Sequence, residues 1–345
     1  MTEKKRVIAL GFFDGVHIGH SALMRKVLAI SREKNLIPSV MTFDAQPQSL
    51  VSGNTVPLIN SPEDRAGLIR RLFGVTDIIF LHFDKETANM PWDSFIHHLT
   101  REFGARHLVA GHDFRFGRGG MGNSDLLSDK CDELGIGCDI IPEVMLDGII
   151  CSSTYIRELI SVGDIGRANA FLGHPHVLTD VVRYGYRLGR TLGAPTVNMC
   201  FGADVLVPAN GVYVTRAFLT EGEESCGAAL YGAGHIGNSA HTGNTAALTA
   251  SPNGFPGVTN IGVRPTVADS TCINAETHIL DYDGHLYGRQ VRIEFHMRLR
   301  PEMKFRDKNE LKEQILNDCE RASSFFTQEH HIDNIAAKSY NKDQR

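Results

Sequence analysis

The chain has 345 residues, Lys+Arg 35 against Asp+Glu 40 for a formal net charge of -5, and 42% hydrophobic with 22% charged residues. That is ordinary globular composition, long enough for two domains at roughly 100 to 200 residues each, and it excludes a disordered chain. The acidic balance leaves no basic footprint for nucleic acid and no window approaches the roughly 20 apolar residues of a membrane span, so a soluble, cytoplasmic protein with neither partner is expected.

In chain order, Val7-Ile-Ala-Leu10 reads as a short buried strand, and Leu23, Val27 and Ile30 then recur at helical spacing. Between them lies Gly11-Phe12-Phe-Asp14-Gly15-Val-His17-Ile-Gly19-His20, at the expected N-terminus of that helix. Free N–H groups and the positive end of the helix dipole favour a phosphate there. Gly11, Gly15 and Gly19 let the backbone approach it, and His17 and His20 can donate to oxygens on which charge develops. Phe12 and Asp14 are candidate nucleotide contacts in the same loop. Zinc is the competing chemistry for a histidine pair, but no cysteine or carboxylate pair stands at ligand spacing to complete a site.

Strand-like and helix-like segments then alternate to about Ile141: Ser39 to Phe43, Pro62 to Phe73, Asp77 to Leu81, Trp92 to Phe103 and His107 to Ala110. This pattern predicts an α/β domain with a Rossmann-like parallel sheet, whose ligands bind beyond the carboxyl ends of the strands. Gly111-His-Asp113-Phe114-Arg-Phe116-Gly117 falls at such an end, where an acidic residue between aromatics can bind a planar ring. Core packing is the plainer reading of Phe114 and Phe116, but not of Asp113. Cys151-Ser152-Ser153-Thr154-Tyr-Ile-Arg157 precedes a helix-like run and is either an N-cap or a second phosphate grip.

Beyond Gly173-His-Pro175 the character changes to short β-branched runs: Val177 to Tyr184, Val205 to Val207, Gly211 to Thr215, Thr277 to Leu280 and Val291 to Phe295. They predict a small antiparallel β-barrel, with one amphipathic helix from Asn309 through Phe326 packed on it. The expected domains are therefore 1-172 and 176-328, with a flexible tail at 329-345. Within the second domain Thr196 and Asn198 are hard oxygen ligands suited to Mg²⁺ with nucleotide phosphates, and Glu276 is a candidate general base. Glu221 to Pro256 is polar and reads as a loop, and its Cys226, His235 and His241 read as loop residues rather than a metal site. The 7 cysteines are odd in number and include no C-x-x-C, which reads as reduced thiols.

In this order the motifs resemble those of the bacterial bifunctional riboflavin kinase/FMN adenylyltransferase family, also called FAD synthetase, over nearly the whole chain. Gly11 to His20 is similar to the adenylyltransferase motif, Gly111 to Gly117 to a flavin-side loop, and Ser152 to Arg157 to a second nucleotide motif. Gly189-Arg190-Thr-Leu-Gly193-Ala-Pro-Thr196-Val-Asn198, Asn260 to Thr266, Glu276-Thr-His and Leu299-Arg300-Pro-Glu-Met-Lys-Phe305 resemble the kinase signatures.

The resemblance implies two reactions. Riboflavin is phosphorylated by ATP, with Glu276 as base and Mg²⁺ on Thr196 and Asn198. FMN is then adenylylated to FAD, with His17 and His20 stabilising the transition state and Arg157, Ser152 and Ser153 gripping the leaving phosphates. It also implies nucleotide contacts from Thr154, Gly189, Arg190 and Gly193, and flavin contacts from Asp113, Phe114, Arg300 and Phe305. The implied partners are ATP, riboflavin and FMN, with weak self-association left open. Phe12, Gln46 and the long stretch from Glu221 to Pro256 depart from the family pattern. The alternative is an FMN adenylyltransferase whose C-terminal domain only binds flavin. A tRNA synthetase, which can also carry His-Ile-Gly-His, is opposed by the net charge and by the lack of a Lys-Met-Ser-Lys-type loop.

Overall fold

The computed structural model describes residues 4–44, 56–184, 195–219, 253–262, 273–282 and 284–340, with side chains as far as 328. It divides into two compact units, residues 1–157 with 171–174 and residues 158–170 with 175–345.

In the first unit β1 (Arg6–Leu10), β2 (Ile37–Phe43), β3 (Asp77–Leu81), β4 (Ala105–Gly111) and β5 (Gly137–Ile141) form a parallel sheet in the order β3-β2-β1-β4-β5. The order reverses between β1 and β4, so the crevice of an open α/β sheet opens at their carboxyl ends. Leu10 pairs with Ala110, which sets the loops after the two strands side by side. Helices α1 (Ile18–Lys34), α2 (Pro62–Phe73), α3 (Lys85–Ala88), α4 (Trp92–Arg101) and α5 (Ser124–Leu134) connect the strands. Helix α1 buries Leu23, Met24, Val27 and Ile30 and stops at Asn35, which takes the left-handed conformation at φ 51°. Helix α2 starts where Ser61 Oγ accepts the Asp64 N–H at 3.0 Å with Pro62 at the first position. Phe95, Ile96 and Leu99 of α4 and Leu127 and Cys131 of α5 pack with Ile8, Leu10 and Leu108 of the sheet in one core. A small hairpin, β6 (Met145–Leu146) with β7 (Ile149–Ile150), precedes α6 (Ser153–Val162) and α7 (Ile165–Leu172). The boundary between the units falls within α6, after Arg157.

The second unit is an antiparallel sheet of β8 (His176–Val181), β9 (Thr196–Cys200), β10 (Gly211–Leu219), β11 (Phe255–Gly262), β12 (Asn274–Ile279) and β13 (Gln290–Arg300), in the order β8-β13-β10-β11-β12-β9. It curls until Arg183, just past β8, bridges Asn198 of β9, where the Arg183 N–H donates to the Asn198 carbonyl at 2.9 Å. The predicted barrel is thus a curled sheet whose edges meet at one bridge. One face of β10 sends Val212 and Val214 against Ala322 and Phe326 of helix α8 (Lys308–Tyr340). The opposite face carries buried Thr215, whose hydroxyl is 2.8 Å from that of Thr259, itself 2.7 Å from that of Thr277.

Four sequence expectations change. Val205 to Val207 forms no strand, being confined between Gly202 and Pro208. Strand β11 begins at Phe255, inside the stretch read as a loop. Helix α8 continues past Phe326 into the expected tail, since neither Gly nor Pro interrupts 309–340. Cys200 is disulfide-bonded, where the cysteine count and spacing read as reduced thiols.

Candidate functional site

The first site is the turn from β1 into α1. Phe13, Gly15 and Val16 all have positive φ, at 56°, 81° and 46°. For a β-branched residue such as Val16 this costs on the order of 1–3 kcal/mol, a strain that persists only when the surroundings enforce it. A side chain at Gly15 would meet Ile59 at 3.0 Å and Leu172 at 3.1 Å. A Cβ at Gly19 would stand 3.0 Å from the His17 ring, so this glycine makes room for the imidazole over the first helical turn.

His17 is the N-cap, its Nδ1 accepting the His20 backbone N–H at 3.4 Å. That bond leaves the proton on Nε2. The two imidazoles stack at 3.5 Å between centroids and 17° between planes. Burial, then the fields of His174 and Arg157, lower the His17 pKa to about 3. Burial, then His17 and Arg65, push His20 well below its ordinary value. Both rings are therefore neutral hydrogen-bonding groups.

Asp14 is the hub beneath them, 1% exposed. It accepts the N–H of Ile59 at 2.9 and 3.1 Å and of Asn60 at 3.3 Å, and pairs with Arg157 Nη2 at 2.6 Å. Arg157 Nε donates to Pro57 O at 2.8 Å, so the predicted phosphate grip is anchored from both sides. Of the hydroxyls before it, Ser152 Oγ accepts the Tyr155 N–H at 3.3 Å, Ser153 Oγ donates to Asp14 O at 2.9 Å, and Thr154 is exposed. Gly11 leads into the turn at the end of β1, its N–H donating to Met41 O at 3.3 Å. The Phe12 carbonyl accepts from Thr42 Oγ1 at 2.7 Å. Across the switch point, Asp113 is exposed, while Phe114 stacks on Phe116 at 5.5 Å and joins the core.

Two residues here escaped the sequence reading. His174 donates from Nε2 to Gly15 O at 2.9 Å, yet Gly173-His-Pro175 read only as a boundary. Arg65 is fully buried, with Nη1 3.0 Å from Phe12 O, Thr42 Oγ1 and Phe43 O and its guanidinium 4.2 Å over the Phe12 ring. Burial lowers its pKa to about 10, still charged at neutral pH.

The second site is a row across the barrel sheet. Register pairs Arg300 with Val212, Val212 with Asn260, Asn260 with Glu276 and Glu276 with Asn198. Directly opposed residues share a face, so Asn198 and Glu276 are neighbours, and Thr196, two residues from Asn198, faces the same way. Asn274 Nδ2 lies 3.0 Å from Asn198 Oδ1 and 3.1 Å from Glu276 Oε1. Arg300 makes a forked ion pair with buried Asp318 of α8, at 3.0 Å from Nε and 2.8 Å from Nη2, and sits 5.7 Å from the Phe305 ring. A cleft beside Thr196 is lined by Pro195, Ile279, Tyr282, His285 and Tyr287, with exposed Tyr184 stacked on Tyr287 at 4.1 Å. No glycine or metal signature in the sequence had flagged these tyrosines. Gly189, Arg190, Gly193, Gln46, Cys226, His235, His241, Arg264 and Thr266 lie outside the described residues.

The described residues contain no group of three His, Cys, Asp or Glu able to hold a metal. The Thr196 hydroxyl and the Asn198 carbonyl instead fit Mg²⁺, which takes a few protein oxygens and completes its shell with phosphate and water.

A family model for FAD synthetase matches residues 1–155, and one for riboflavin kinase matches residues 172–326. The bifunctional riboflavin kinase/FMN adenylyltransferase of Bacillus subtilis (strain 168) is 31% identical over 329 residues, 94% of each chain. That of Escherichia coli (strain K12) is 31% identical over 322 residues, 93% of this chain and 92% of its own. A crystal structure described as a macrolide-efflux protein from Streptococcus pneumoniae is similar at a TM-score of 0.75 and 26% identity, over 94% of this chain and 95% of that one. In this chain no described helix is long and apolar enough to cross a membrane.

Proposed function

The chain belongs to the family of bifunctional riboflavin kinase/FMN adenylyltransferases, and from that premise we propose a division of labour between its two sites. The C-terminal unit phosphorylates riboflavin and the N-terminal unit adenylylates the product.

In the kinase step the Glu276 carboxylate accepts the proton of the ribityl 5′-hydroxyl as that oxygen attacks the γ-phosphorus of ATP, the bond to the β–γ bridging oxygen breaks and ADP leaves. Thr196 and Asn198 would hold Mg²⁺, which supplies neutralisation of phosphate charge. Positioning and charge neutralisation account for most of such a rate. The tyrosine-lined cleft beside Thr196 suits a planar ring of one substrate.

In the adenylyl step the FMN phosphate attacks the α-phosphorus of ATP and pyrophosphate leaves, with no covalent enzyme intermediate. The neutral imidazoles of His17 and His20 donate to the α-phosphate oxygens as charge gathers on them, and the N-terminus of α1 adds its dipole. Arg157, held by Asp14, leaves Nη1 for the departing phosphates, and Thr154 with the N-terminus of α6 borders the same space. Asp113 is the flavin-side contact across the switch point. The observation that carries this reading is the stacked, neutral His17 and His20 pair at a helix N-terminus.

Product analysis tests the division. With riboflavin, ATP and Mg²⁺ the wild type yields FAD without added FMN. His20→Ala is expected to stop at FMN, with FAD formation down about 10²–10³-fold. Glu276→Gln is expected to make FAD only when FMN is supplied. Equal FAD output from His20→Ala sinks the histidine assignment, and unchanged phosphorylation in Glu276→Gln sinks the base.

A further inference from the structure

We propose that Asn274 is a positioning residue for riboflavin phosphorylation, its one amide nitrogen tying the Glu276 carboxylate to the Asn198 carbonyl. The inference rests on the reading of Glu276 as base and Asn198 as cation ligand. Asn274 stands two residues before Glu276 on β12, so the two share a face, and it pairs in register with Cys200, two residues beyond Asn198 on β9. The side chain therefore reaches both groups on the row, Nδ2 lying 3.0 Å from Asn198 Oδ1 and 3.1 Å from Glu276 Oε1.

The chemistry determines which end of the amide faces them. A primary amide nitrogen carries two protons and no acceptor, and here each proton meets a separate oxygen. With the amide reversed, its oxygen would face a carboxylate that has no proton to give. Two consequences follow. Asn198 Oδ1 spends one lone pair on Asn274 and keeps the other for a cation, with its carbonyl direction set. Glu276, whose long side chain otherwise loses rotamer freedom when ordered, is held in one orientation before substrate arrives. Asn274 touches neither the attacking hydroxyl nor the γ-phosphorus; it acts through the base and the cation ligand.

The test uses the full chain with Asn274→Ala, Asn274→Ser and Glu276→Gln. Steady-state phosphorylation, FAD formation from supplied FMN and calorimetric titration with ADP and Mg²⁺ are read in parallel. Asn274→Ala is expected to lower kcat for phosphorylation roughly tenfold while the riboflavin KM stays within about twofold, because misplacement of a reacting group costs rate more than binding. It should also weaken ADP binding in the presence of Mg²⁺ about threefold, while FAD formation from FMN is retained. Asn274→Ser, which keeps one O–H donor, should recover part of the lost kcat. The proposal is overturned by a wild-type kcat in Asn274→Ala. It is equally overturned if Asn274→Ser is no better than Asn274→Ala, or if kcat and KM worsen together with a lowered Tm. Wild-type phosphorylation in Glu276→Gln overturns the base reading and this one with it. Loss in Glu276→Gln beside an unaltered Asn274→Ala overturns Asn274 alone.

Discussion

The N-terminal site is a folded loop whose polar groups are buried and tied to one another, whereas the C-terminal site is a row drawn from neighbouring strands and held by register. In the first, Asp14 links the loop 57–60, the Arg157 guanidinium and the β1–α1 turn through one carboxylate. In the second, Arg300, Asn260, Glu276 and Asn198 come from separate strands, and any slip of one residue would turn a member to the other face. The site proposed for adenylyl transfer is thus vulnerable at its hub, and the one proposed for phosphorylation at its alignment.

The sharpest way to break that contrast is Asp14→Ala. It leaves the Arg157 guanidinium uncompensated and strips the Ile59 and Asn60 N–H groups of their acceptor. Removing one partner of a buried pair costs about 3–5 kcal/mol, enough to unfold the N-terminal unit under mild conditions. Trp92 is the only tryptophan and lies in that unit, so its fluorescence in a urea titration reports the loss directly. Riboflavin phosphorylation should persist. A urea midpoint like that of the wild type would show that Asp14 is not the hub.

Acid should separate the units next. His17 is pulled to about 3 and His20 well below its ordinary value, chiefly by burial, while His296 in the second unit is pulled to about 4 by burial and then Arg216. A histidine whose folded pKa lies below its unfolded value near 6.5 binds more protons when unfolded. Its contribution is fully present above pH 6.5 and is lost as pH falls from there toward the folded pKa. The slope in that window is about 1.4 kcal/mol per pH unit for each such group. Two of these histidines stand in the N-terminal site, so Trp92 fluorescence should report a fall in stability between pH 6.5 and 5. His17→Gln should flatten it. An unchanged slope in that variant would mean that His17 is protonated in the folded chain.

The same contrast explains what could be read from residues alone. The turn from Gly11 to His20 is contiguous, and its role follows from placement between an apolar strand and a helical period, both of which the fold contains. The alternation of strand-like and helix-like segments likewise exposes the parallel sheet, and β1 and β4 carry continuous apolar runs because they are buried on both faces. Long-range partners leave no such trace. Nothing near Arg65 or His174 announces that they reach Phe12 and Gly15, because those bonds span 53 and 159 residues. Asn274 is silent for a different reason: its meaning arises only once β9 and β12 pair in one register. Glu276 and Asn198 stand out in the sequence as candidates, whereas their adjacency comes only with the sheet.

The smallest effect sharpens the comparison most finely, at Ser153. A run of hydroxyls before Arg157 invites a phosphate-gripping role, yet Ser153 Oγ donates to the Asp14 carbonyl at 2.9 Å. Ser153→Ala removes that donor and leaves an acceptor that solvent or a neighbour can satisfy only in part, a loss of about 0.5–1.5 kcal/mol. If the hydroxyl leaves Asp14 for the leaving phosphates in the transition state, kcat for FAD formation should fall roughly tenfold beyond that small loss of stability. The expected pattern is therefore a slightly lower urea midpoint on Trp92 fluorescence together with a kcat defect that saturating ATP does not repair. A midpoint shift with unchanged kcat would assign Ser153 wholly to the hub, leaving Thr154 and the helix N-terminus to meet the pyrophosphate.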